Sequence, residues 1–198
     1  MRAYGWMLVG ALIFGASAGA GVPASPAHAE PVAERPLDRL VDLTLERLET
    51  ADAVAAAKWV AAHGGDPGID DPAREAEVYD AMARAGAGLR LDAERVRRVF
   101  GGQIEANKLV QRGLVTRWRV DPAAAPTAAP ELSAVRPVID RVNGELLAQL
   151  AEHRADLAGP DCVERLSTSV FPALTGGRAD ALHQAALVRA SAALCAPM

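Results

Sequence analysis

From Leu37 to His63 the chain runs 27 residues without a glycine or a proline. That is too long for a strand and long enough for about seven helical turns. Leu37, Leu40, Val41, Leu45 and Leu48 recur at helical spacing, and the pattern continues through Trp59. Pro36 suits the first turn of a helix, and Gly64-Gly65 ends it. One long helix therefore comes first.

That helix carries Arg47 and Lys58, 11 residues apart. Eleven steps of ~100° return to within about 20° of the start, so both side chains leave one face, separated by roughly 16 Å along the axis. Their neighbours on that face are apolar, so the charges point where a core should be. Glu46 and Glu49 offer the ordinary alternative, a solvated helix face with local ion pairs. Two buried cations without carboxylate partners are expensive to keep. An anion arriving from outside resolves this, and a small dicarboxylate matches two cations.

The rest of the chain also reads as helical. Hydrophobic residues make up 51% but aromatic residues only 4%, and the excess of Ala, Leu and Val favours helices over a β-sandwich. Asp71-Pro72 is an N-cap followed by proline at the first helical position. The second helix runs from there to about Ala85, where Gly86 and Gly88 stop it. Asp92 caps a third helix carrying Val96, Val99, Phe100, Ile104, Leu109 and Val110. Gly101-Gly102 weakens it by roughly 1 kcal/mol per glycine, yet the apolar pattern resumes in phase. Residues 121–131 hold three prolines and many alanines and read as a crossover, not an element. Ser133 is positioned to cap a fourth long helix reaching about Leu157, with Pro137 in its first turn. Two shorter helices follow, around 161–170 and 178–195. The expectation is an all-α bundle of about six helices, three of them long.

Residues 1–29 read as a cleaved signal peptide: Arg2, an apolar stretch from Trp6 to Ala20, and an Ala27-His28-Ala29 cleavage site. The mature chain, 30–198, is then a single exported domain, periplasmic or extracellular, and no later stretch is apolar enough to cross a membrane. In an oxidising compartment Cys162 and Cys195, the only two cysteines, should pair. Closing that loop stabilises the fold by roughly 4 kcal/mol. A net charge of −4 disfavours a nucleic-acid partner. The four histidines show no ligand spacing, so no metal is expected.

Further polar groups join Arg47 and Lys58: Asp71, Arg74 and Glu75 opening the second helix, Asn107 and Gln111 at i, i+4 on the third, and Arg136 opening the fourth. Gln103, one turn before Asn107, reads as a surface or packing amide and is left out of the set. Cations with neutral amides and no nucleophile suggest binding, or a reaction driven by geometry and electrostatics alone.

Arg47 and Lys58 on a long first helix, Asp71-x-x-Arg74-Glu75 on the second and Asn107-x-x-x-Gln111 on the third together resemble the all-helical chorismate mutases. The exported branch of that family adds a signal peptide, a Pro/Ala-rich crossover before a Leu-Ser-Ala-x-Arg segment (Leu132 to Arg136), and two late cysteines. The resemblance spans about Leu37 to Cys195. It implies rearrangement of chorismate to prephenate with no cofactor and no covalent intermediate, in a homodimer whose sites each lie within one chain. By the same resemblance Arg47 and Arg74 hold carboxylates and Arg136 is a third cation, a role the intracellular branch fills from the partner subunit. Lys58 binds a carboxylate and the ether oxygen, to which Gln111 also donates. Glu75 accepts from the substrate hydroxyl, and Asn107 and Asp71 complete the binding set.

Three positions depart from the family pattern. Gln111 stands where some members have a glutamate that must be protonated to donate, so no acidic optimum is expected from it. Asn107 replaces a common Ser or Thr. Val78 occupies a position where some exported members use a glutamine. The rival expectation is an exported protein that binds a dicarboxylate of the aromatic pathway without turning it over.

Overall fold

A computed structural model describes residues 35–195; the signal-peptide expectation for 1–29 lies outside them. All regular structure among these residues is helical. Helix α1 (Asp38–Ala61) is followed by α2 (Pro72–Gly88), α3 (Ala93–Val120) and a single 3₁₀ turn (Pro122–Ala124). Then come α4 (Leu132–Glu152), α5 (Arg154–Ala158), α6 (Cys162–Thr175) and α7 (Ala181–Ser191).

The first helix is the centre of the bundle. Leu40, Leu43, Leu45, Leu48 and Ala51 are fully buried and point to several sides of α1. A helix apolar nearly all round has to be enclosed, and α3, α4, α6 and α7 enclose it. The caps follow from the sequence: Arg74 N donates to Asp71 Oδ1 at 3.0 Å, and Arg95 N to Asp92 Oδ1 at 2.8 Å. The glycines of α3 serve close packing. A Cβ on Gly102 would stand 2.5 Å from Ala193 Cβ, and one on Gly113 would stand 2.6 Å from Leu182. They let the segment containing α7 lie directly on α3.

At the far end of α1 a second apolar cluster forms. Trp59 meets Trp118 edge to face, with centroids 5.6 Å apart, and Ile69 packs against the pair. This seats the loop between α1 and α2, whose entry is a left-handed pair, His63 (φ 50°) and Gly64 (φ 77°).

Several boundaries differ from expectation. The second helix continues through Gly86 to Gly88. Residues 122–124 of the crossover wind into a 3₁₀ turn, capped by Asp121, whose carboxylate accepts from Ala123 N. Ser133 lies inside α4, which starts at Leu132 after Glu131 with no side-chain cap, and Pro137 is interior to the helix, not in its first turn. The fourth helix stops at Glu152, making seven α-helices among the described residues. One loosened residue, His153, separates α5 and aims Leu157 into the core.

Cys195 pairs with Cys162, Cα–Cα 5.7 Å apart. It lies beyond α7, not on it. Ala193 N bonds Ala190 O and Leu194 N bonds Ser191 O, a tighter winding than an α-helix that buries Leu194.

Candidate active site

A cavity of about 230 Å³ opens among α1, α2, α3 and α4. All eight residues singled out from the sequence line it: Arg47 and Lys58 from α1, Asp71, Arg74 and Glu75 from the start of α2, Asn107 and Gln111 from α3, and Arg136 from α4. Val54, Val78, Ile104, Val135 and Ile139 supply apolar wall.

The deep end is enclosed. Arg47 is 5% exposed. Its Nε donates to Asn143 Oδ1 at 2.8 Å and one terminal nitrogen to the Gln103 carbonyl at 3.2 Å. Both acceptors are neutral. Burial pulls the guanidinium down to about 10, so it remains charged at neutral pH, with no carboxylate of the described residues bonded to it. Gln111 is also buried, and its Oε1 has no hydrogen-bond partner among the described residues. An unpaired buried amide oxygen is uncommon and asks for an explanation.

Lys58 is half-buried, and its ammonium donates to the carbonyls of Gly68 and Ile69 at 3.2 and 2.9 Å. The Trp59–Trp118 cluster holds those carbonyls through Ile69. Burial lowers the lysine from its ordinary value, opposed by Asp71, Asp70 and Glu75.

The mouth is wet. Arg74 is exposed and leans along α2 to Glu77 at 2.7 Å. Arg136 is exposed too, on the facing wall. Asp71 spends one carboxylate oxygen on the helix cap. Asn107 donates to the Gln103 carbonyl at 3.2 Å. The four cations thus share one cavity, with Arg47 enclosed, Lys58 half-buried and the other two at the rim.

Two buried residues of the site are not among those singled out from the sequence. Asn143, 2% exposed, interrupts the apolar stripe of α4 between Ile139 and Leu146, and a buried amide in such a stripe is a usable signal. Lys108 completes the set Ile104, Asn107, Lys108 and Gln111, spaced i, i+3, i+4, i+7 on α3. Burial opposes its charge, but Glu105, Asp70 and Glu75 outweigh that and hold it well above the ordinary lysine range. Gln103 is fully buried and serves the site through its backbone carbonyl.

Comparison with known proteins gives the family. The family described as chorismate mutase type II matches residues 38–112. The secreted chorismate mutase of Mycobacterium tuberculosis is 33% identical over 173 residues, covering 87% of this chain and 85% of that protein. The chain belongs to the chorismate mutase family. Its secreted branch is the one it resembles: the secreted chorismate mutase of Mycolicibacterium smegmatis is 35% identical over 188 residues, 95% of this chain and 99% of the relative. Among solved structures, the chorismate mutase of Burkholderia thailandensis superposes with a TM-score of 0.74 at 33% identity, over 81% of this chain and 99% of that one. The protein is thus an exported, all-helical chorismate mutase, an isomerase by family.

Proposed function

We propose that the cavity binds chorismate and rearranges it to prephenate. The observation that carries this is Arg47, a buried guanidinium whose hydrogen-bond partners among the described residues are a side-chain amide and a backbone carbonyl. An enclosed cation with neutral partners favours an entering carboxylate strongly, because the surroundings are of low dielectric.

The reaction is intramolecular: the ether C–O bond breaks as a new C–C bond forms, with no redox change and no proton to move. The protein's task is to select the compact conformer and to stabilise negative charge growing on the ether oxygen. In this reading Arg47 holds one carboxylate at the closed end, while Arg74 and Arg136 swing in from the mouth. Lys58 and the Gln111 amide N–H donate to the ether oxygen. Glu75 accepts from the substrate hydroxyl, and Asn107 adds a donor to a carboxylate. Asp71 contributes by fixing the start of α2. A single chain brings all of these residues to one cavity, which supports a site complete within each subunit of the proposed homodimer. Cleavage after Ala29 would release the domain 30–198.

The test is chorismate loss followed by absorbance, with prephenate confirmed chemically. Conversion with loss of activity in Lys58→Ala supports the reading. Tight binding of chorismate without conversion would favour a non-catalytic capture protein. Light scattering reports the homodimer, and N-terminal sequencing of exported protein reports the cleavage site.

A further inference from the structure

Lys108 is a lysine on a helix surface with carboxylates nearby, a pattern that is ordinarily a solvated ion pair of little consequence. Here it is 8% exposed and lines the substrate cavity. Its ammonium has three protons, and a different carboxylate lies within reach of each: Glu105 at 2.6 Å, Asp70 at 3.0 Å and Glu75 at 3.0 Å. These belong to α3, to the α1–α2 loop and to the first turn of α2.

This junction bears on the site in two ways. Glu75 is a carboxylate in the wall of a pocket for a dianion. Left bare it would repel that dianion, and the Lys108 ammonium on its Oε1 offsets part of that charge. Asp70, also held by Arg112 at 2.7 Å, directly follows the Gly68 and Ile69 carbonyls that receive Lys58. Fixing Asp70 therefore fixes the perch of Lys58.

We infer that Lys108 is a positioning residue of this active site, screening and aiming Glu75 while pinning the loop that holds Lys58. The inference rests on the proposed function, in which Glu75 faces the substrate.

The experiment is a kinetic double-mutant cycle on wild type, Lys108→Met, Glu75→Gln and the double variant, with thermal melting of each. Repulsion by an uncancelled carboxylate acts on bound substrate and transition state alike, so Lys108→Met should raise KM by about tenfold with a smaller change in kcat. In the Glu75→Gln background the charge facing the substrate is gone and Lys108 is left holding only Asp70 and Glu105. The same substitution should then change KM by less than about threefold, while any effect passed to Lys58 through the loop persists in kcat. A full-size, additive KM effect in that background overturns the inference and leaves the role of Glu75 standing. Kinetics of Glu75→Gln equal to wild type would sink both together. Should Lys108→Met not fold, Lys108→Gln, which can still hydrogen-bond the surrounding carboxylates, completes the same cycle: a KM effect that vanishes with Glu75→Gln supports the inference, and an additive one overturns it.

Discussion

The Nε of Arg47 donates to Asn143 Oδ1 at 2.8 Å, across 96 residues of sequence and at the floor of the cavity. That pairing aims a positive charge without neutralising it. Folding bears the cost of enclosing the guanidinium, and under the proposed function the substrate's carboxylate recovers it.

Removing both members of the pair should therefore separate stability from function. Arg47→Met with Asn143→Leu is expected to be neutral or to stabilise by about 1 kcal/mol, because a buried charge and its amide give way to apolar packing. The same variant should lose at least about 100-fold in kcat/KM. Urea unfolding and initial rates check the two halves.

Gln111 needs no protonation to donate. Gln111→Ala is expected to lower kcat by about 100-fold, the scale of one lost donor at a developing oxyanion, with little change in melting temperature. Gln111→Glu places a carboxyl that donates only when protonated. Its kcat/KM should fall as pH rises through the pKa of that carboxyl, whereas no such fall traceable to this residue occurs in wild type. Parallel pH–rate profiles decide it.

The fold is legible in the sequence because its signals are local. Asp71 and Asp92 announce helix starts by the same cap they form, and the apolar repeat from Leu37 onward marks α1 in every turn. The site is legible in part because Arg47 and Lys58 share a face of one uninterrupted helix. What stays hidden depends on contacts between distant segments. Lys108 has the local look of a partner for Glu105 alone; only the approach of Asp70 and Glu75 makes it a junction. Asn143 reads as a polar lapse in a stripe until Arg47 arrives opposite. The end of α4 goes unmarked because the His153 carbonyl still accepts from Leu157 N, and neither proline nor glycine stands at the break.

The Cys162–Cys195 bridge closes 33 residues of sequence separation around α6 and α7 and lies outside the cavity lining. Replacing both cysteines with serine should cost roughly 4 kcal/mol, lowering the melting temperature by about 10 °C for a domain of this size. The kcat at 25 °C should stay near wild type. Melting with and without reductant, beside assays of the variant, tests this.

His183 ties α7 to α1, with Nδ1 2.8 Å from Asp180 Oδ1 and Nε2 3.1 Å from Asp52 Oδ1. Both partners accept, so both bonds form only with the doubly protonated ring. Burial works against that charge, but Asp180 and Asp52 outweigh it and raise the ring above its ordinary 6.5. The resulting stabilisation is full below pH about 6.5 and is lost as pH rises through the raised value. Melting temperature should decline across that window in wild type, and His183→Leu should flatten the decline.

The most direct measurement is a crystal structure with a dicarboxylate analogue of the rearrangement's transition state. One carboxylate is expected on the Arg47 guanidinium at the closed end of the cavity. The analogue's ether oxygen should lie within hydrogen-bond distance of Lys58 Nζ and the Gln111 amide nitrogen. An analogue bound elsewhere, or one in the cavity that leaves Arg47 held only by Asn143 and the Gln103 carbonyl, would contradict the proposed role of the buried guanidinium.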